Sequence, residues 1–396
     1  MMKNRLITPE GTRDTLFEDC IARRKAEQNI KKVFLSRGYS EVVTPGLEFY
    51  DVFNSPEHGI PQERMYKLTD LKGRILTVRP DLTMPIARLA ATRLKGHTLP
   101  FRLFYNQSVY AINPALSGRS DETVQAGIEL IGSSTRRTDL EVIATAVEAL
   151  ESCGLSDFRL EIGHIGFFNT LIQKLNLSDS DKDEIRALIE SKNYPALNDR
   201  LDKLENKEVA NALKQLPALF GGEEVFDKAK KLLDCPELLE TTKYLRSLYK
   251  DLQKLGLSGK ISLDLGIVTR NDYYTGIVFK GYVQGLGTTA LVGGRYDSLL
   301  SDYGVDLPAV GFGINVDAVA GVMKSPSDEV LPPDVLVFAE EGFEVKALSQ
   351  VKRLTEMGFR AEFSVFEDFE ESQRYAIQKG IETIYIVRDD IVEVKA

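Results

Sequence analysis

Residues 125–129 read Gln-Ala-Gly-Ile-Glu, and Leu130 follows them. The apolar Ile128 and Leu130 indicate an extended strand. Alternate side chains of a strand lie on opposite faces, so Gln125, Gly127 and Glu129 share one face. Sheets normally alternate apolar and polar residues, but here the polar face carries an amide and a carboxylate. This stretch therefore predicts a sheet that binds a ligand as well as supporting a core.

Four further polar clusters lie along the chain. They are Arg79-Pro80-Asp81-Leu82-Thr83, Asp272-Tyr273-Tyr274-Thr275-Gly276, Gly293-Gly294-Arg295-Tyr296-Asp297 and Gly311-Phe312-Gly313-Ile314-Asn315. Each alone has an ordinary structural explanation, such as a glycine bend in a sheet or half-buried tyrosine packing. The glycine pair 311 and 313 lacks the continuation of a phosphate-binding loop. Together, the amides, carboxylates and phenols suit a small amino-acid-like ligand, whose ammonium group needs carboxylates.

Local patterns predict the elements around these clusters. An amphipathic helix is expected at 16–37, and a strand at 39–45 that ends at its proline. A second helix is expected at 139–152, where Thr138 and Glu141 form a capping box.

The order of elements favours an α+β fold over a regular βαβ repeat. Residues 168–257 are rich in Lys, Glu, Asp and Leu at helical spacing, and strands resume after them. We therefore expect residues 1–325 to form one domain with a helical insertion at about 168–257. A linker at 324–333 leads to a short α/β module at 334–396.

Composition excludes several classes of protein. The three cysteines are isolated and the three histidines lack ligand spacing, so no metal site is expected. No apolar run approaches a membrane span, and the first residues do not resemble a signal peptide, so a cytoplasmic protein is expected. The formal net charge is −9, and residues 334–396 carry 14 acidic and 8 basic side chains. Binding of nucleic acid to that module is not expected, because phosphates need positive charge.

The clusters occur in the order found in histidyl-tRNA synthetases. Residues 8–14, TPEGTRD, resemble the opening of that family, and residues 43–48 resemble the dimer-forming motif 1 of class II synthetases. Residues 79–83, 125–129, 272–276, 293–297 and 311–313 resemble later motifs of the family. The resemblance implies a class II aminoacyl-tRNA synthetase-like antiparallel sheet flanked by helices. It also implies a histidine-binding-like pocket made of Asp81, Thr83, Gln125, Glu129, Tyr273 and Tyr274.

The sequence departs from the synthetase pattern where ATP is handled. The Arg-x-Glu of motif 2 is replaced by Val109-Tyr110-Ala111, the arginine three residues before the Asp272 position is Thr269 with Arg270 one step along, and the closing arginine of motif 3 is Ala318. Arginine offers a planar bidentate group to the α-phosphate that these residues cannot replace. Loss of one such donor costs roughly 10²–10³ in rate, so no catalytic residue is expected.

Within the pocket, two positions also differ from the synthetase motif. Asp81 stands in place of glutamate and Leu82 in place of glycine. Residues 334–396 resemble a truncated anticodon-binding module.

A synthetase body without activation residues resembles the family of ATP phosphoribosyltransferase regulatory subunits. That resemblance implies a non-catalytic chain without cofactors, required by a short-form ATP phosphoribosyltransferase catalytic subunit in the first step of L-histidine biosynthesis. It further implies a self-dimer through the motif 1 region, a hetero-octamer with the partner, and L-histidine as effector. Two alternatives stay open: a divergent active histidyl-tRNA synthetase, and a synthetase-like protein with another substrate or a tRNA-binding accessory role.

Overall fold

The computed structural model describes residues 5–114, 118–268, 273–323 and 329–396. The chain divides into two compact units, Met1–Ser325 and Pro326–Ala396. The first unit contains a nine-stranded sheet, in the order β1-β5-β6-β12-β11-β10-β7-β9-β8, and a separate three-stranded sheet, β2-β4-β3. The strands are β1 Ser40–Glu41, β2 Leu47–Phe49, β3 Lys67–Thr69, β4 Ile75–Val78, β5 Phe101–Tyr110, β6 Glu122–Ile131, β7 Phe158–His164, β8 Phe220–Gly221, β9 Ile261–Asp264, β10 Ile277–Val283, β11 Leu291–Arg295 and β12 Ala309–Asn315.

The six central strands of the large sheet, from β5 to β7, pair antiparallel throughout. Helices α1 (Phe17–Ser36), α3 (Arg136–Ser152) and α10 (Val316–Met323) cover one face. The opposite face carries α2 (Thr83–Thr92) and the site described below. An antiparallel sheet with helices on its face confirms the predicted α+β class.

Helix α1 confirms the expected amphipathic helix. Ala26, Ile30, Val33 and Phe34 are buried, and they share the face that packs on the sheet. Gly38 follows at φ 79°, a left-handed conformation that glycine adopts without strain.

The predicted capping box of the second helix is wrong. Helix α3 begins at Arg136, with Thr135 as its N-cap residue. Thr138 lies inside the first turn and donates to the Thr135 carbonyl at 2.6 Å. Glu141 pairs instead with Arg102 of β5, with 2.5 Å between Nη1 and Oε1. A tertiary ion pair has replaced the local hydrogen bond that the sequence pattern indicates.

The expected strand at 39–45 forms only at Ser40–Glu41. Farther along, the Thr44 backbone is bonded by a side chain, because Gln107 Oε1 accepts its N–H at 3.0 Å and Gln107 Nε2 donates to its carbonyl at 2.9 Å. The buried Arg79 guanidinium also donates to the Thr44 carbonyl at 2.7 Å. The segment is therefore held against β5 by side-chain hydrogen bonds in place of regular β-sheet backbone pairing.

Six helices occupy most of the chain between β7 and β9. They are α4 Ile165–Gln173, α5 Asp179–Glu190, α6 Tyr194–Leu201, α7 Lys207–Gln215, α8 Glu224–Ala229 and α9 Pro236–Lys254. Ser178, Asn193 and Asn206 cap three of them by accepting backbone N–H groups. Their apolar faces join the main core, so the insertion is packed onto the sheet that it interrupts.

A buried polar cluster ties the insertion to the sheet. Arg295 of β11 donates from Nε to Asp139 of α3 at 2.9 Å and from Nη2 to Thr138 at 2.8 Å. Tyr244 of α9 donates to the same Asp139 carboxylate. Burial, and secondly Arg295, lowers the pKa of the nearby His164 to about 4. A buried ion pair stays stable only when its remaining hydrogen-bonding groups are satisfied in this way.

The second unit is a four-stranded sheet, in the order β14-β13-β15-β16, with one helix on each face. Its elements are β13 Val335–Ala339, α11 Glu344–Glu356, β14 Ala361–Phe363, α12 Phe369–Lys379, β15 Thr383–Val387 and β16 Ile391–Lys395. Alternate residues of β13 explain the two layers. Val335 and Val337 lie in the core that includes Ala347 of α11, whereas Leu336 and Phe338 lie in the core that includes Ala376 of α12.

Among the described residues, none of the helices combines the length and the apolar composition that crossing a lipid bilayer requires.

Candidate functional site

Glycines make the site face of the sheet flat enough to hold large side chains. A Cβ atom at Gly311 would overlap the Glu129 carboxylate, and one at Gly313 would overlap the Gln125 amide. One at Gly127 would overlap the phenol of Tyr105. These glycines therefore leave room for neighbouring side chains to lie across the backbone.

The tyrosines gather above this flat surface. The Tyr273 ring centroid lies 4.8 Å from that of Tyr274 and 5.7 Å from that of Tyr296. A Cβ atom at Gly294 would overlap the Tyr274 ring. All three tyrosines are buried, and together with Tyr105 they form the aromatic wall of the site.

Glu129 lies at the centre of the aromatic wall. Its carboxylate accepts hydrogen bonds from the Thr83 hydroxyl at 2.9 Å and from the Tyr296 hydroxyl. Burial raises the pKa of Glu129 to about 8, against the effect of these two hydrogen bonds. The nearby Asp81 carboxylate raises it further. The site therefore holds a buried carboxyl group that a positively charged ligand would stabilise in its ionised form.

Asp81 and Leu82 occupy the entrance to helix α2. Asp81 Oδ1 accepts the Met84 N–H at 2.9 Å, and burial raises the pKa of its carboxyl group. Leu82 is fully buried in the apolar cluster that includes the tyrosines. The two residues that depart from the synthetase motif therefore have structural roles. Asp81 accepts an N–H group of the first turn of α2, and Leu82 packs in the apolar cluster.

A cavity of about 790 Å³ lies beside this cluster. Asp81 and Gln125 line it, and a smaller cavity of about 150 Å³ is lined by Asp81 and Tyr273. Thr83, Glu129 and Tyr274 are not among the lining residues of either cavity. The structure therefore brings the six predicted residues into one region. Asp81, Gln125 and Tyr273 line the cavities, whereas Thr83, Glu129 and Tyr274 lie in a closed interior beside them.

Replaced motif positions line the large cavity. Val109 and Ala318, which stand in place of arginine, and Ala111, which stands in place of the motif 2 glutamate, all contribute to its wall. Thr269, Arg270 and Asp272 lie outside the described residues. At two positions the cavity wall therefore carries an apolar side chain where the synthetase motifs carry a guanidinium group.

Sequence reasoning missed four arginines that line the same cavity. They are Arg13, Arg23, Arg64 and Arg119. Arg23 pairs with Asp317 at 2.7 Å. Four carboxylates, Asp81, Asp121, Glu122 and Asp317, also line the cavity, so its charges balance. Arg13 lies in the opening motif at residues 8–14 and Arg119 lies between β5 and β6, and no local pattern marks Arg23 and Arg64.

A hydrogen-bonded chain joins His58 to a distant segment and was not predicted. His58 Nδ1 lies 2.9 Å from Asp302 Oδ2, and Nε2 lies 3.1 Å from Ser298 Oγ. His58 lines the smaller cavity, whereas Ser298 and Asp302 do not. This arrangement fastens two segments together. Within the described part of the chain, no group of three or more His, Cys, Asp or Glu side chains could hold a metal ion.

The fold and the site define a class II synthetase-like protein. Residues 11–319 match the family model described as histidyl-tRNA synthetase. The solved histidyl-tRNA synthetase of Nostoc sp. PCC 7120 has a similar fold, with a TM-score of 0.75 at 20% identity over 98% of this chain and 96% of that one. The predicted fold class is confirmed.

Closer similarity distinguishes one branch of this class. A protein of Clostridium acetobutylicum named ATP phosphoribosyltransferase regulatory subunit is 41% identical over 382 residues, covering 95% of this chain and 94% of the relative. A Bacillus halodurans crystal structure, described as an ATP phosphoribosyltransferase regulatory subunit/histidyl-tRNA synthetase, has a TM-score of 0.81 at 30% identity, covering 95% of this chain and 97% of that one. The chain belongs to the ATP phosphoribosyltransferase regulatory subunit family.

The buried carboxyl group makes stability depend on pH. The folded chain keeps the Glu129 proton up to about pH 8, whereas the unfolded chain releases it near the ordinary pKa of 4.5. Between these values the folded state binds more protons, so the contribution of Glu129 to the unfolding free energy falls as pH rises. In the wild type, this contribution lowers the unfolding free energy by up to about 1.4 kcal/mol per pH unit between pH 5 and 8, and we expect Glu129→Gln to abolish that dependence.

Urea unfolding followed by circular dichroism at pH 5, 6.5 and 8 measures this slope. Glu57→Gln, at an exposed position, controls for the removal of a surface carboxylate. Equal slopes in the wild type and in Glu129→Gln would show that Glu129 is ionised in the folded chain.

Proposed function

We propose that this chain is a non-catalytic regulatory subunit required for ATP phosphoribosyltransferase activity in the first step of L-histidine biosynthesis. The observation that carries the proposal is the large cavity, whose lining includes Val109 and Ala318 at two positions where the synthetase motifs carry arginine. The relatives' name supplies the pathway. The proposal places the complex in the cytoplasm, where nucleotides are available.

The charge of the cavity argues against adenylate chemistry. Activation of an amino acid builds negative charge on the α-phosphate of ATP, which preorganised positive groups must stabilise. Arg23 is already paired with Asp317 at 2.7 Å, and acidic side chains match the arginines in number. A triphosphate would therefore meet no net positive charge. The alternative, a divergent active histidyl-tRNA synthetase, requires such charge and predicts histidine-dependent ATP–pyrophosphate exchange by this chain alone.

Reconstitution tests the required-subunit role. We expect the short-form catalytic subunit from the same cell to form phosphoribosyl-ATP at least tenfold faster when this chain is added. The chain alone should form no product and should show no exchange. Light scattering of the mixture measures the assembly, for which a hetero-octamer is expected. A catalytic subunit that is fully active by itself would contradict the proposal.

We further propose that L-histidine regulates the complex by binding at the pocket of Asp81, Thr83, Gln125, Glu129, Tyr273 and Tyr274. The buried Glu129 offers a carboxylate to the ligand ammonium, and the tyrosines offer hydrogen bonds and an aromatic wall. Regulation needs only that histidine bind one state of the complex more tightly than another.

Inhibition assays test this sensing site. We expect Glu129→Gln to raise the histidine concentration for half inhibition at least tenfold, because the ligand ammonium loses an ionic hydrogen bond. Activation of the partner without histidine should stay within twofold of the wild type. The exposed Glu57→Gln variant is the control. Unchanged inhibition in both Glu129→Gln and Tyr273→Phe would place the sensing site elsewhere.

We also propose that the chain self-associates through the small sheet of the motif 1 region. Leu47, Phe49 and Leu68 share one face of this sheet and are 45–52% exposed. A face of this kind, held rigidly by neighbouring strands, is suited to a second copy of the same surface.

Sedimentation velocity tests the dimer. We expect Leu47→Glu to shift the chain from dimer to monomer at micromolar concentration, because a carboxylate would be buried in the interface. Leu348→Glu is a matched control, since Leu348 is 51% exposed and Leu47 is 52% exposed. A Leu47→Glu chain that still sediments as a dimer would contradict the motif 1 interface.

A further inference from the structure

A separate cavity of about 220 Å³ lies against the helical insertion. Its floor is formed by Glu161 of β7, Asp264 of β9 and Lys280 of β10. It shares no lining residue with the two cavities of the candidate site. Pockets for drug-sized ligands span roughly 300–1,000 Å³, so this cavity fits a smaller metabolite.

Oppositely charged side chains line this cavity without pairing with each other. Glu161 and Lys280 are register partners on neighbouring antiparallel strands, where side chains can meet. Within the described ranges, neither side chain forms an ion pair. The hydrogen bond of the Lys280 ammonium goes to the Val268 carbonyl at 3.4 Å, and Asp264 accepts the Gly266 N–H at 2.9 Å.

Burial disfavours the charged forms of these three side chains. Burial raises the pKa of the Glu161 and Asp264 carboxyl groups and lowers the pKa of the Lys280 ammonium. A ligand that brings an ammonium to the carboxylates and a carboxylate to the lysine would reverse both penalties.

A buried hydroxyl beside these groups also lacks a partner. Ser262 of β9 is 3% exposed, and its hydroxyl oxygen has no hydrogen bond within the part of the chain that the structure describes. It is the register partner of Glu161 and precedes Asp264 by two residues, so all three lie on one sheet face. Ser262 is not among the residues that line the cavity, so its hydroxyl adds a buried polar group to the same sheet face and not a contact with the ligand.

Aromatic side chains and a second lysine surround the opening. Tyr194, Phe220 and Tyr282 line the cavity and are 36–44% exposed. Lys192 lines the same opening and is exposed. The aromatic rings offer apolar surface to a ligand side chain. Glu190 lines the cavity as well, so charges of both signs surround it.

We propose that this cavity binds a free L-α-amino acid with an apolar or aromatic side chain. The ligand ammonium lies between Glu161 and Asp264, its carboxylate faces Lys280, and its side chain contacts the aromatic rim. A compound with only one of the two charges satisfies one side of the cavity and leaves the other unpaired.

Calorimetric titration of the full-length chain with each of the twenty standard L-amino acids tests the proposal. We expect at least one amino acid to bind in a one-to-one ratio with a Kd below about 1 mM. Lys280→Met and Glu161→Gln should each weaken it at least tenfold. The exposed Lys192→Met is a milder variant, for which about threefold is expected. Removing the carboxylate from the best ligand, as in the corresponding amine, should weaken binding at least tenfold in the wild type.

Three results would overturn the proposal. Histidine is set aside, because its binding is proposed at the Glu129 pocket. The three results are no binding by any of the other nineteen amino acids, binding of one of them that Lys280→Met and Glu161→Gln both leave unchanged, and binding of one of them that Glu129→Gln abolishes. The inference is independent of the proposed function. A chain that activates the catalytic subunit but binds no amino acid here rejects this inference alone, and a chain that binds one here without activating the partner rejects the proposed function alone.

Discussion

The site depends on glycines on one face of the sheet. Because glycine has no side chain, Tyr105, Gln125, Glu129 and Tyr274 can lie across neighbouring strands. A single methyl group at Gly311 would displace the Glu129 carboxylate, which would then lose its bonds to Thr83 and Tyr296. The opposite face of the same strands carries ordinary apolar residues that pack on helices. Strand alternation therefore separates a face that stabilises the fold from a face that binds, and it explains why substitutions on the binding face can leave the fold intact.

The same separation explains how motif residues of a synthetase can be replaced while the fold persists. Val109 and Ala318 line an open cavity, where an apolar side chain in place of arginine leaves no buried charge unpaired. Arg295, by contrast, is buried in a network with Asp139 and Thr138, and removal of its charge would leave Asp139 uncompensated. An arginine that binds substrate can be replaced at little cost to stability, whereas an arginine that closes a buried network cannot.

The fold and most of the site could be predicted because their signals are local or arranged in a recognisable order. Alternation in residues 125–129 and the apolar face of α1 correctly indicated which side chains point together. The failures involve long-range partners. Glu141 binds Arg102 of another strand instead of capping its own helix, and Thr44 is held by the side chain of Gln107. Arg295 stood in a cluster interpreted as ligand-binding, yet it also bonds Asp139 and Thr138, which lie 156 and 157 positions away. The cavity of about 220 Å³ takes its lining from five separate stretches of the chain, and no single stretch carries its pattern.

The proposed histidine sensing requires that occupation of the pocket change a part of the chain beyond it, and α2 supplies a physical connection. Thr83, at the first turn of α2, donates to Glu129 at 2.9 Å. One and a half turns later, Arg88 of the same helix pairs with Glu48 of β2 at 2.6 Å. Strand β2 also carries Leu47 and Phe49 on the exposed face of the small sheet. A ligand that takes the Glu129 carboxylate from Thr83 must change the position or the hydrogen bonding of a helix that holds this sheet in place. Because packed elements adopt discrete arrangements, a small displacement at Thr83 can favour one assembly of subunits over another. In the proposed regulation, histidine must displace side chains of the closed interior to reach Glu129, so its binding energy depends on the conformation of the chain.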